Sequence, residues 1–214
     1  MKGPAGGPAV VSICVAMPGG SSRGVRLSAR ERSILAGRSS TGAKADFSAG
    51  RAAAHALLGA GVEVLKARDG RPVPARDGLR VRGLSLSIGH SHGVGMAGLV
   101  KDAKWVVGVD IETRSRVSAR LGRRVLTALE KRRVRRLPAG QRARAAIEHW
   151  VLKEAALKTI GGGVARLLSA PDAAEVILLS HRGWGRIMLA GAGSVRARLI
   201  RAHGATMAVV LRPG

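Results

Sequence analysis

Three carboxylates and a lysine stand at spacings that suit chemistry on a phosphate. In WVVGVDIE, residues 105–112, period-2 alternation puts Val107, Val109 and Ile111 on one side of a strand and Gly108, Asp110 and Glu112 on the other. Two carboxylates at i and i+2 point the same way, and the small Gly108 leaves room beside them. With a third oxygen donor from elsewhere they suit a hard cation such as Mg²⁺, or Mn²⁺ in its place, which keeps waters and substrate phosphates as its other ligands. In WVLKEAALK, residues 150–158, Trp150, Glu154 and Lys158 recur every four residues and share a helix face. Glu154 offers the third ligand or a base, and Lys158 a cation for phosphate oxygens. Each motif alone is weak: a Glu→Lys pair at i,i+4 is ordinarily a solvated pair worth about 0.2–0.5 kcal/mol.

The elements around these motifs follow from local signals. Residues 84–93, LSLSIGHSHG, predict a strand that ends in a Gly/Ser/His turn before another strand at 94–100. Backbone amides in such a turn approach an anion, and His90 can donate to a phosphate. A zinc reading of His90 and His92 lacks a third ligand at suitable spacing. Residues 10–17 read as a first strand. Residues 27–35 read as a helix with Ser28 at its N-cap and Glu31 at capping-box spacing. Residues 46–59 predict a helix that buries Phe47, Ala54, Leu57 and Leu58 and stops at Gly59. A short strand at 62–65 precedes a turn-rich segment at 69–78. Residues 113–140 read as an arginine-dense helical stretch with Leu121, Val125, Leu129 and Val134 as its apolar side, and 142–160 form the main helix, closed by three glycines. Residues 175–179, 184–189, 194–201 and 206–211 alternate like antiparallel strands.

At 214 residues the chain holds one large domain or two small ones, and 46% hydrophobic residues suffice for a core. The net charge of +24 calls for an anionic partner. A nucleic-acid-binding module built on the Arg-rich segment 114–144 would explain that charge. It would not explain three acidic residues where a cation is needed, and 2% aromatics provide no stacking platform. One cysteine, Cys14, excludes an internal disulfide, sits in an apolar run as a structural thiol, and fits a reducing cytosol. No apolar run approaches the roughly 18 residues that span a bilayer. A soluble, cytoplasmic monomer is the expectation.

GVDIE followed by WxxKEAxxK, with 41 residues between Glu112 and Glu154, resembles the 4′-phosphopantetheinyl transferases of the long, two-half, surfactin-synthetase-activating type. Three further stretches carry the resemblance: FSAGR at 47–51, Gly70-Arg71-Pro72, and Ser87-Ile88-Gly89-His90-Ser91-His92-Gly93, where Gly89 stands for a usual serine. The resemblance implies an α+β fold of two pseudo-symmetric halves, 1–104 and 105–214. Each half would be an antiparallel sheet packed with helices, with the active site in the cleft between them. It implies Mg²⁺-dependent transfer of the phosphopantetheine arm of coenzyme A to a serine of an acyl or peptidyl carrier protein, releasing 3′,5′-ADP. Asp110, Glu112 and Glu154 would hold the metal, and Glu154 and Lys158 would be catalytic. Arg51, Arg71, Gly89, His90, Lys153 and Lys158 would bind coenzyme A. The arginine-dense stretch, with Arg120, Arg124, Arg132 and Arg136, would dock an acidic carrier.

Overall fold

The computed structural model describes residues 10–18, 27–113, 124–161, 164–180 and 182–214. The N-terminal half runs β1 (Val11–Ala16), α1 (Ala29–Ala36), α2 (Thr41–Leu58), β2 (Glu63–Lys66), β3 (Pro72–Arg76), β4 (Leu79–Arg80), β5 (Ser85–Ser91) and β6 (Val94–Val100). Its main sheet has the order β1-β6-β5, and β2-β3-β4 form a small second sheet. Helix α2 covers the main sheet, packing Ala53 and Ala54 against Leu86, Ala97 and Leu99. The helix comes so close that a Cβ on Gly95 of β6 would collide with the backbone of Ala49 and Gly50.

The C-terminal half runs β7 (Trp105–Glu112), α3 (Ala128–Arg135), α4 (Ala139–Lys158), α5 (Val164–Ser169), β8 (Ala174–Leu179), β9 (Trp184–Leu189), β10 (Gly193–Ala202) and β11 (Ala205–Pro213). Its sheet has the order β7-β11-β10-β9-β8, antiparallel throughout. Helix α4 lies across it and buries Val151, Leu152, Ala155 and Ala156 against Ile187, Leu199 and Val210. The fold is α+β, antiparallel sheets packed with helices.

The two halves repeat one plan. In each, the first strand pairs antiparallel with the last, β1 with β6 and β7 with β11. In each, a short helix opens with a capping box whose glutamate is fully buried: Ser28 with Glu31 in α1, Thr127 with Glu130 in α3. Glu31 lies 3.0 Å from His55 Nε2 and 3.3 Å from Arg51 Nε, and accepts from the N–H of Val64 in β2. Glu130 lies 2.8 Å from Lys153 Nζ and accepts from the N–H of Val176 in β8. A single buried carboxylate thus ties the short helix to the long helix and the following strand, because every oxygen lone pair must find a donor away from water.

The halves meet along β5 and β7. Ser85, Ser87 and Ser91 sit at alternate positions of β5. Their hydroxyls accept from the N–H groups of Val107, Val109 and Thr113 at 3.0, 3.0 and 3.4 Å. Behind this seam Val94, Met96, Val107, Val109, Ile111, Met207 and Val209 form a shared apolar cluster.

Several boundaries differ from the sequence expectation. Residues 69–78 are not all turn: Pro72 and Pro74 lie in β3, where β4 pairs only with Ala75 and Arg76, so neither proline nitrogen faces β4. Helix α2 starts at Thr41, capped by Ser40, and α4 starts at Ala139. The arginine-dense stretch is not one helix, since Thr127 caps a new helix in the middle of it; Leu129 is exposed rather than apolar-face core. Residues 114–123, with Arg120 and Leu121, lie outside the described residues. Among the described residues no helix is long and apolar enough to cross a membrane.

Candidate active site

Asp110 is buried at 4% exposure and faces α4. A Cβ on Gly108 would collide with the carbonyl of Ala155, so the room this glycine provides is filled by the helix itself. That close approach carries Lys158 onto β7. Its ammonium donates to Asp110 Oδ1 at 2.8 Å and to the Val109 carbonyl at 3.1 Å, and lies 3.5 Å from Glu154 Oε1. Burial, then the nearby charge of Glu154, push the Asp110 carboxyl up to about 8, against the opposing pull of Lys158. Burial alone would lower the Lys158 ammonium, but the charges of Asp110 and Glu154 outweigh it and hold it above its ordinary value.

Glu112 ends the same strand. It accepts from Ser91 Oγ at 2.8 Å and lies 3.8 Å from His92 Nδ1. Ser91 also lies 3.2 Å from Thr113 Oγ1, so a small hydroxyl cluster orients the Glu112 carboxylate.

Position 89 explains the glycine found where serine is usual. Gly89 is not in a turn but inside β5, opposite Met96, at the point where β5 passes Asp110. A Cβ there would stand 2.9 Å from the Asp110 Cα, 3.2 Å from the Ile111 N and 3.3 Å from Asp110 Oδ1. The bare position leaves the Asp110 carboxylate its space. The turn itself is His92-Gly93, with φ of 51° and 79°, the two-residue hairpin geometry that favours glycine. Gly89→Ala is therefore expected to cost about 1–3 kcal/mol, as β5 and β7 part at Asp110. Urea unfolding measures this, and a wild-type midpoint would show that the two strands yield freely.

His90 projects near this cluster. Its Nδ1 lies 3.6 Å from Asp46 Oδ2, and the other Asp46 oxygen accepts from the Gly93 N–H at 2.6 Å. Partial burial pushes the His90 imidazole below its usual value; Asp46 and Glu154 oppose that shift and Lys158 adds to it. Histidine, Glu154 and Lys158 therefore lie within electrostatic reach of one another.

Of three further residues expected on a ligand, two stand elsewhere and Arg71 stays accessible. Lys153 is fully buried, and its ammonium donates to the Val125 carbonyl at 2.6 Å and to Glu130 at 2.8 Å. An ammonium so enclosed cannot grip a phosphate, so its assignment to coenzyme A is withdrawn. Arg51 is also buried, facing Glu31 with its guanidinium 4.8 Å from the Phe47 ring centroid. Arg71 is paired with Asp69, Nη2 to Oδ2 at 2.6 Å, but its side chain is 45% exposed. It lines a cavity of about 200 Å³ with Arg80, Ser85, Asp102 and Trp105. The Asp69 carboxylate lies against Gly161, just past the end of α4, which brings the Arg71 loop to the Lys158 end of that helix.

Among the described residues no group of three or more His, Cys, Asp and Glu stands close enough to hold a metal. The donor chemistry nonetheless fits a hard cation at Asp110 and Glu154, because two neighbouring carboxylates, one of them buried, need positive charge between them. Lys158 supplies that charge here. Glu112 is turned to Ser91.

Residues 106–210 match the family model of the 4′-phosphopantetheinyl transferase superfamily. The matched stretch, just under half of the chain, is similar to that superfamily. It takes in Asp110, Glu112, Glu154 and Lys158, whereas Gly89, His90 and Ser91 precede it. No curated protein matches the chain. The seam of β5 on β7, which holds Asp110 and Glu112 in place, is a feature that sequence reading missed. Its signal was present as Ser85, Ser87, Gly89 and Ser91, three hydroxyls and a gap on one strand face.

Proposed function

We propose that this chain transfers the 4′-phosphopantetheine arm of coenzyme A to a serine of a carrier protein, with Mg²⁺ as the cation and 3′,5′-ADP as the second product. The observation that supports it is the cluster of buried Asp110 with half-buried Lys158 and Glu154 inside the superfamily match. Asp110, Glu154 and Glu112 would hold the cation, which when bound neutralises charge developing on the diphosphate. Glu154, with 15% of its side chain exposed, takes the proton of the carrier serine. The serine oxygen then bonds to the β-phosphorus as the bond from that phosphorus to the 3′,5′-ADP oxygen breaks. Lys158, fixed by the Val109 carbonyl, donates to the departing phosphate oxygen. His90 and Arg71, both about half exposed, hold the remaining phosphates.

The repeated plan of the two halves supports the long two-half type, divided at residues 1–104 and 105–214. Arg124, Arg132 and Arg136 are exposed and would meet an acidic carrier. The deciding experiment is mass spectrometry of a carrier domain incubated with coenzyme A, Mg²⁺ and this protein. A phosphopantetheine mass increment on the serine is expected; no increment on any acyl or peptidyl carrier overturns the reading.

Glu154 separates catalysis from a helix-surface role. As a surface i,i+4 partner of Lys158 its loss would cost under about 0.5 kcal/mol and leave turnover alone. As the base, Glu154→Gln lowers kcat by about 10²-fold or more. Steady-state kinetics with saturating carrier distinguish the two, and a kcat near wild type would reassign the residue.

A further inference from the structure

A second concave feature lies outside the carboxylate cluster. An open groove of about 520 Å³ runs between α3, the first half of α4 and the edge strand β8. Its floor is apolar, with Leu137, Ile177 and Leu178, and the last two are 41% and 57% exposed. Three guanidinium groups stand around it, from Arg133, Arg144 and Arg201. The one acid in the lining, Glu148, is already neutralised: Arg201 Nη2 lies 2.6 Å and Arg144 Nε 3.7 Å from Glu148 Oε1. Arg133 donates through Nη1 to the Val176 carbonyl at 2.7 Å, which anchors it at the strand edge. The groove is therefore both apolar and cationic.

Its position relative to the candidate site follows from register. Arg201 is opposite Thr206, and Thr206 is opposite Glu112. Cross-strand partners share a sheet face, so Arg201 and Glu112 lie on the α4 face at the same end of the sheet, two strand spacings or about 10 Å apart. Along α4, Glu148 precedes Glu154 by six residues, about 9 Å of helix.

We infer that this groove seats the acceptor protein, through an acidic segment that presents apolar side chains to Leu137, Ile177 and Leu178 and carboxylates to Arg144 and Arg201. The inference rests on the transferase reading and adds the face on which the partner docks. A partner that must deliver a serine to Glu154 needs a seat about one helix diameter from it, and this groove provides one. A second copy of this chain, at +24, carries the wrong charge for it. Apolar side chains on the floor suit a protein segment better than a phosphate backbone.

The test compares the full chain with Leu178→Asp and with Arg144→Glu, using an acidic apo carrier domain. Both side chains are largely exposed, at 57% for Leu178 and 61% for the Arg144 side chain, and thermal melts check that each variant is folded. Each substitution is expected to raise the carrier KM by about tenfold or more while kcat at saturating carrier stays within about twofold. The Kd for coenzyme A, from calorimetry without carrier, is expected to be unchanged. If the unaltered chain transfers the arm and both variants keep its carrier KM, the groove is overturned and the transferase reading stands. If the unaltered chain transfers nothing, the reading falls and takes the groove with it.

Discussion

Asp110→Asn is expected to lower turnover on the order of 10³-fold, the size that follows from losing several kcal/mol of charge stabilisation at a phosphoryl centre. The sequence alone suggests a solvent-facing carboxylate whose loss would leave packing untouched. In the structure the carboxylate is buried and meets Glu154 across a single ammonium, so the isosteric amide is the cleaner probe. It removes a carboxyl whose ionised form is disfavoured by burial and by Glu154, so the folded state should be no less stable, and more so at alkaline pH. The pH dependence gives an independent readout. With its carboxyl pushed up to about 8 from an ordinary 3.8, folded Asp110 keeps a proton that the unfolded chain has released. Between those values the native state binds more protons than the unfolded state, so stability falls as pH rises toward 8. The raised Lys158 acts in the same direction at higher pH. Without divalent cations, the wild-type Tm should therefore decline from pH 5 to pH 8 (~3 units), and Asp110→Asn should flatten that decline. Added Mg²⁺ at the alkaline end should raise the wild-type Tm and leave the variant unmoved. Wild-type turnover in the variant, or equal Mg²⁺ responses, would remove Asp110 from the cation site.

The second large effect is on stability. Lys153→Met should cost about 3–5 kcal/mol, because it strips the cation from a fully buried Glu130 and leaves that charge uncompensated. For a chain of this size that is a drop in Tm of roughly ten degrees. Pairing it with Glu130→Gln should recover much of the loss, since the amide keeps one acceptor and removes the stranded charge. The double-mutant cycle then measures the coupling directly. Were Lys153 a phosphate ligand instead, Lys153→Met would weaken coenzyme A binding in calorimetry and leave the melt unchanged. That result would return the lysine to the site. The expected effect on coenzyme A is small by comparison, although Glu154 is the next residue.

These predictions divide along a line that runs through a single motif. In WVLKEAALK the four-residue spacing by itself put Glu154 and Lys158 on one face, because helical side-chain direction depends only on the local backbone. Alternation in WVVGVDIE likewise separated Val107, Val109 and Ile111, which enter the apolar cluster, from Gly108 and Asp110, which face α4. The capping box at Ser28 and the strands of residues 174–213 were legible for the same reason: each is set by neighbours within a few residues. Lys153 shows what was not. Its type and its place beside Glu154 read as a phosphate ligand, yet the helix turns it by about 100° from Glu154, toward a glutamate 23 residues away. Arg51 was drawn into the N-terminal half in the same way by Glu31. Gly89 resembled a lost serine until β7 was seen to pass within contact distance of it, and Gly108 resembled ligand space until the helix was seen to fill it. Local sequence determined which side chains share a face. Only the tertiary structure decided which face meets water, because burial of a charge or a glycine is set by segments far away in the chain.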